Sequence, residues 1–348
     1  MGLLDLPVEI LILIPNHLRN IEDFMSASSS CRTLRNAFQG TDPHQILRLA
    51  GAASRIFFHP DPYFLIAATV RQVSDWALES QENTEILRKA FMGGIEGLYD
   101  LCIEKAGLTM EDVRRLHAMR FTVLNPMSDF IDKIAGKQWY STPNFWDGGV
   151  SDANTVACEA ERALFQIIIY GELFSSTMRA HLQPELNLPR FDFHFRLDYI
   201  RYCIPDWICE MGAPGIDRPL PVGPYAPEEM KVNHLPADQI ALNHVLNCRR
   251  WRESWERVRR QIGEDFQLEW KQDMWHSAVQ CQGLEGLEML RPGGVEKWRD
   301  RLTEIRNRIE KLEKMPEVYD FHPRSQQGTE YPFMANEVYI LMCGLWPW

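Results

Sequence analysis

The segment Leu6-Pro7-Val8-Glu9-Ile10-Leu11-Ile12-Leu13-Ile14-Pro15-Asn16-His17-Leu18-Arg19-Asn20-Ile21-Glu22-Asp23-Phe24-Met25 decides how this chain is read, together with Cys31-Arg32-Thr33-Leu34-Arg35 just beyond it. Pro7 suits the first position of a helix, where its missing N–H costs nothing. Asp5 and Glu9 stand near that start, where the helix dipole favours negative charge. From Ile10 to Ile14 five apolar residues follow one another, and at ~100° per residue they go right round a helix. A helix apolar on every side must be covered on every side. A unit below ~40 residues rarely holds enough core to do that alone. The segment therefore asks for a partner surface in addition to its own fold.

Asn20 is placed to cap a second helix, with Glu22 and Asp23 in the first turn. Ile21, Phe24, Met25 and Ser28 share the expected inner face of that helix. The small residues Ser26 to Ser30 allow close approach of a neighbour. Cys31, Leu34, Ala37 and Phe38 repeat the pattern for a third, short helix, which Gly40 and Pro43 end.

Leu6-Pro7-x-Glu9-Ile10, Ile14, Leu18, Ile21, Phe24, Ser28, Cys31-Arg32 and Leu34-Arg35 together resemble the F-box motif, over about Leu3 to Phe38. The sequence also resembles fungal F-box proteins, with the motif itself covering only about Leu3 to Phe38. The resemblance implies a three-helix unit that binds the Skp-type linker protein and, through it, the cullin and RING subunits of a ubiquitin ligase. It implies that Leu6, Pro7, Ile10, Ile14, Leu18, Ile21, Phe24, Met25, Cys31 and Leu34 shape the linker-binding helices and their core. Glu9, Arg32 and Arg35 would add rim contacts. Pro15 departs from the pattern, because an interior proline costs ~3 kcal/mol or more in a regular helix. Either the first helix bends there or its second half is a separate turn.

The bulk composition narrows the alternatives. At 348 residues the prior is about two domains, and 45% apolar content supplies a sizeable core. A formal charge of −11 argues against nucleic acid or an anionic membrane as a partner of the whole chain. The 8 cysteines form no CxxC pair and no Asn-x-Ser/Thr site occurs, which points to reduced thiols and an intracellular home in cytoplasm or nucleus. No apolar run approaches the ~18 residues of a membrane span.

Beyond Gly40 the expected fold is mainly α, an irregular helical body with few or no strands. Helices are expected near Ile46–Ala53, Phe64–Leu78 and Ile86–Ala106, the last loosened at Gly93-Gly94. Another is expected over Met110–Ile134, with a capping arrangement at Thr109-x-x-Asp112 and a break at Asn125-Pro126. Ser151–Leu182 reads as a core helix, with a buried strand over Ile167–Tyr170 as the alternative. Phe191 to Leu197 alternates locally, so a strand is open there too. Six prolines and three glycines between Met211 and Pro236 preclude a regular element. The divisions are 1–40 for the F-box, 41–211 for the first part of the helical body, 212–236 for a Pro/Gly-rich loop and 237–348 for the second part. The two body parts need not be separate domains. Ile240–Asn247 and Arg249–Leu268 resume the helical pattern. Val295, Trp298, Leu302, Ile305, Ile309 and Leu312 then form a short seam suited to docking on the body. The terminal Gly344-Leu345-Trp346-Pro347-Trp348 is expected to pack down. No leucine-rich, kelch or WD period is visible.

Other chemistry is thinly represented. Arg249-Arg250-Trp251-Arg252 with Trp255, Arg257, Arg259 and Arg260 could face nucleic acid. The simpler reading is an amphipathic helix with Trp251, Trp255, Val258 and Ile262 inward. Asp273 with His276, or Asp192 with His194, offers two ligands where a metal needs three or four. Cys158 and Cys248 read as small buried hydrophobes. No phosphate loop, Gly-x-Ser-x-Gly elbow or HExxH occurs, so neither a metal, a cofactor nor catalysis by this chain is expected. The aromatic stretch Trp139-Tyr140-Ser141-Thr142-Pro143-Asn144-Phe145-Trp146 is the best candidate for facing a protein substrate, whose identity the sequence leaves open. The leading expectation is a substrate receptor of a Skp–cullin–F-box ligase. The alternatives are a linker-bound protein without ubiquitination and an enzyme of unrecognised type in the helical body.

Overall fold

The computed structural model describes residues 2, 5–52, 62–127, 160–204, 249–280 and 282–314. The aromatic stretch 139–146, the Pro/Gly-rich loop 212–236, the helix expected over 240–247 and the terminal 344–348 lie outside the described residues. So do Cys158 and Cys248.

Four short helices open the chain: α1 (Val8–Leu11), α2 (Ile21–Ser30), α3 (Arg32–Phe38) and α4 (Pro43–Gly51). A 3-10 turn, Ile14–His17, stands between α1 and α2. The expected all-round apolar helix therefore stops at Leu11, and Pro15 sits at the start of a separate turn. That placement avoids an interior helix position for a residue without an N–H. Asn20 caps α2 by accepting the Asp23 N–H at 3.0 Å. Cys31 caps α3, its sulfur accepting from Leu34 N–H at 3.5 Å.

The body comprises α5 (Pro62–Ala77), α6 (Gln81–Met92), α7 (Gly94–Lys105), α8 (Met110–Met119), α9 (Ala160–Leu182), α10 (Phe193–Cys203), α11 (Arg249–Arg260), α12 (Glu269–Gln280), α13 (Gly283–Met289) and α14 (Gly294–Lys311). No strand occurs among the described residues.

Three boundaries differ from expectation. The helix expected over Ile86–Ala106 is two helices, parted at Gly93, whose neighbour Gly94 has φ +69°. Left-handed backbone of that kind ends a helix and suits glycine. The break expected at Asn125-Pro126 comes earlier, as a widened π turn over Arg120–Leu124 in which Asn125 N–H reaches back to the Arg120 carbonyl. Pro126 cannot donate into a regular ladder, and the wide turn directly before it absorbs that defect. Phe191–Leu197 is no strand: Asp192 accepts the Phe195 N–H at 2.7 Å and starts α10. Phe191, just ahead of the cap, and Phe195, in the first turn, stack face to face at 4.2 Å.

The apolar centre Ile167–Tyr170 lies in α9, which is buried over most of its length and packs chiefly on α5. α9 also packs on α13, α12 and α14. The buried residues from Leu11 to Ile309 form one apolar cluster. Val295, Leu302, Ile305 and Ile309 turn α14 towards that cluster, and Trp298 and Leu312 pack at its edge. Trp255 and Val258 are buried and Ile262 half-buried, which places the apolar side of α11 on the core and leaves Arg257 and Arg260 outside.

Candidate functional site

The N-terminal unit sorts its residues into a core and a face. Ile21, Phe24 and Leu34 are buried, together with Leu11, Ala37 and Phe38. Phe24 stacks on Phe38 with ring centroids 5.1 Å apart. Leu6, Ile14, Leu18 and Cys31 are half-buried and pack against this core. Pro7, Glu9, Ile10, Met25, Arg32 and Arg35 are exposed. Met25 was expected on the inner face of α2 and is instead on the surface. The α2 helix buries only a narrow stripe, Ile21 and Phe24, against α3 and α4, and Met25 falls outside it.

The outward face is strongly apolar. Val8, Ile10, Ile12 and Leu13 are 53%, 46%, 45% and 49% exposed, while Leu11 among them is 1% exposed. Isolated exposed apolar side chains are ordinary, but four within six residues mark an interaction surface. Val8, Ile12 and Leu13 were not singled out as site residues by their positions in the motif. The signal that could have found them was the unbroken run Ile10–Ile14, of which only one side can face so small a core.

The unit is joined to the body through α4. Ile46, Leu47, Leu49 and Ala50 are buried, and α4 packs on α7. The Leu108 N–H donates to the Pro43 carbonyl at 3.0 Å. Gln72 brackets Gly107 from α5, donating to its carbonyl at 2.9 Å and accepting its N–H at 3.1 Å.

Between the end of α9 and α14 lies a cavity of about 940 Å³, lined by His181, Arg190, Asp300, Glu304, Arg308 and Lys311 among others. Its lining carries both acidic and basic groups, and Arg308 is paired with Glu304 at 2.6 Å. His181 Nδ1 stands 3.2 Å from Arg190 Nη1. A guanidinium only donates, so Nδ1 accepts and the imidazole is neutral. Burial, with Arg196 and Arg190 adding to it, pushes His181 down to about 3. Asp273 and His276 lie on α12, where His276 meets Gln272 at 3.0 Å. Asp192 serves as the α10 cap. No group of three or more His, Cys, Asp or Glu suited to a metal occurs among the described residues. No helix among them is long and apolar enough to cross a membrane.

No curated protein and no solved structure matches the chain. A family model, the F-box domain, matches residues 3–45. The match runs past Phe38, where the sequence motif was expected to end, and takes in the first turn of α4. Residues 3–45 of this chain therefore carry an F-box domain.

Proposed function

We propose that the chain is the substrate-recognition subunit of a Skp–cullin–F-box ubiquitin ligase. The observation that carries this reading is the exposed strip Val8, Ile10, Ile12 and Leu13 on the F-box. Each of these side chains is about half exposed, so covering one contributes roughly 1 kcal/mol. A Skp-type linker that covers the strip gains most of its affinity there, while Glu9, Arg32 and Arg35 at the rim set register and encounter rate. The linker in turn connects the chain to cullin and RING subunits. In this reading the chemistry of ubiquitin transfer belongs to those partners, and the chain holds the target. The helical body presents that target, with the stretch Trp139, Tyr140, Phe145 and Trp146 proposed as substrate-facing. The cleft between α9 and α14 is a second place where a polar segment of the target fits.

The test is co-purification of the full chain with a Skp-type linker and its cullin. Wild type is expected to retain both. Ile10→Asp/Leu13→Asp is expected to lose both without a change in thermal midpoint, since each side chain is on the surface. A wild-type chain that fails to bind the linker overturns the reading. Linker binding without cullin recruitment favours the non-ubiquitinating alternative.

A further inference from the structure

Pro15 divides the linker-binding end of the F-box and leaves its backbone to be held from elsewhere. After Ile12 the chain continues on three-residue bonds: Leu13 N–H to Ile10, Asn16 N–H to Leu13 and Leu18 N–H to Pro15, at 3.1, 3.1 and 3.3 Å. Such turns hold less firmly than α-helix. Two side chains of α4 meet this turn. Gln45 Nε2 donates to the Pro15 carbonyl at 2.8 Å. Arg48 Nη2 donates to the Asn16 and Leu18 carbonyls, each at 3.4 Å. Arg48 Nε also donates to Gln45 Oε1 at 3.1 Å, which fixes the Gln45 amide with its nitrogen towards Pro15.

The apolar face of α4 is meanwhile built into the body, through Ile46, Leu47, Leu49 and Ala50 and through the Leu108–Pro43 bond. Arg48 lies beyond the matched residues 3–45. A residue outside the F-box, on a helix fixed in the body, thus holds the turn next to Ile12 and Leu13.

We propose that Gln45 and Arg48 are positioning residues for linker binding, which hold the Ile14–His17 turn and so keep the strip at Val8–Leu13 in its docking geometry. The inference rests on the linker-binding reading above. A turn already ordered in the free protein spares the complex the ordering cost that weakens association. By the same contacts the linker is held in fixed orientation to the body, because α4 belongs to both.

The experiment uses the full chain and a purified Skp-type linker, with two readouts: affinity by calorimetry, and hydrogen exchange of the amides from Leu13 to Leu18 in the free protein. Gln45→Ala/Arg48→Ala is expected to bind roughly three- to twentyfold more weakly, the scale of one to two ordinary hydrogen bonds. Its Leu13–Leu18 amides are expected to exchange faster, with the thermal midpoint of the body unchanged. Arg48→Ala alone, at an exposed residue, guards against misfolding and is expected to show part of both effects. Unchanged exchange at Leu13–Leu18 overturns the inference even if affinity falls, because the residues then act by touching the linker. Faster exchange with wild-type affinity overturns it as well. A wild-type chain that does not bind overturns the linker-binding reading itself and this inference with it.

Discussion

Glu172 on α9 accepts the backbone N–H of Leu284 at 2.9 Å, across 112 residues of sequence. Its other carboxylate oxygen lies 2.6 Å from Arg71 Nε on α5. One buried carboxylate thus ties the long core helix to both the N-terminal body and the start of α13. Burial raises the pKa of Glu172, while Arg71 and the Leu284 N–H pull it back. The pair is partly open to water on the arginine side, so its net contribution is smaller than that of a fully buried pair.

Arg71→Met is expected to cost about 1–3 kcal/mol in urea unfolding near neutral pH, because it leaves the Glu172 charge buried with only a backbone donor. The sign of the pH dependence follows. Without Arg71 the folded-state pKa of Glu172 rises further, so the folded form takes up a proton more readily as pH falls. The penalty should therefore shrink at pH 4 relative to pH 8. An equal penalty at both would show that Arg71 acts through packing of its stem.

Gly283 begins α13 with φ +63°, and a Cβ there would run into the Glu172 carboxylate. Gly283→Ala combines left-handed strain of about 1–2 kcal/mol with an overpacking cost of similar size. A drop in the thermal midpoint is expected, larger than that of Gly293→Ala. Gly293 has φ +74° but open space around its Cβ position, so only strain applies there. Equal midpoints for the two variants would remove Glu172 from the explanation.

Asp273 carries a titration signature that can be read directly. Burial, with Glu269 adding, pushes its carboxyl up to about 6, from an ordinary value near ~3.9. Between those two values the folded state binds more protons than the unfolded one, so stability falls as pH rises through this window and levels off above it. Asp273→Asn removes that titration. The variant should match wild type at pH 4 and melt higher at pH 7. Melting curves that stay parallel from pH 4 to pH 7 would contradict this.

Phe24 and Met25 are neighbours in α2 with opposite environments, buried on Phe38 and exposed. Phe24→Ala should destabilise the F-box by about 3–5 kcal/mol. Met25→Ala should stay within roughly 0.5 kcal/mol. Hydrogen exchange of the α2 amides measures both in the full chain. A comparable loss from each would mean that Met25 is covered by the protein itself.

The elements that local chemistry fixes were readable in advance. Asn20 and the Thr109–Asp112 capping box mark helix starts by side-chain geometry alone, and both form as the spacing indicates. The three- and four-residue spacing of Val295 to Ile309 marks the buried side of α14. The F-box was legible because Leu6-Pro7-x-Glu9 and Cys31-Arg32-x-Leu34-Arg35 combine a helix start, a helix cap and a core stripe at fixed separation. Positions where two patterns coincide were not readable. Phe191 and Phe195 satisfy both a strand alternation and a stacked pair at a helix start, and only the Asp192 cap selects the helix.

Sequence by itself determined that the described part of the chain is helical and that its first forty residues expose apolar surface, since an apolar run longer than its own core can cover leaves some of it outside wherever the helix ends. Tertiary structure alone decided which residues carry that surface. Leu11 turns inward and Val8, Ile10, Ile12 and Leu13 outward because Pro15 ends the regular helix and α3 occupies one side. It also decided what steadies the broken helix. Gln45 and Arg48 reach Pro15, Asn16 and Leu18 from some thirty residues away, a pairing set by how α4 packs on the body. No local pattern encodes such a contact, because hydrogen bonds between distant segments depend on the packing that brings them together.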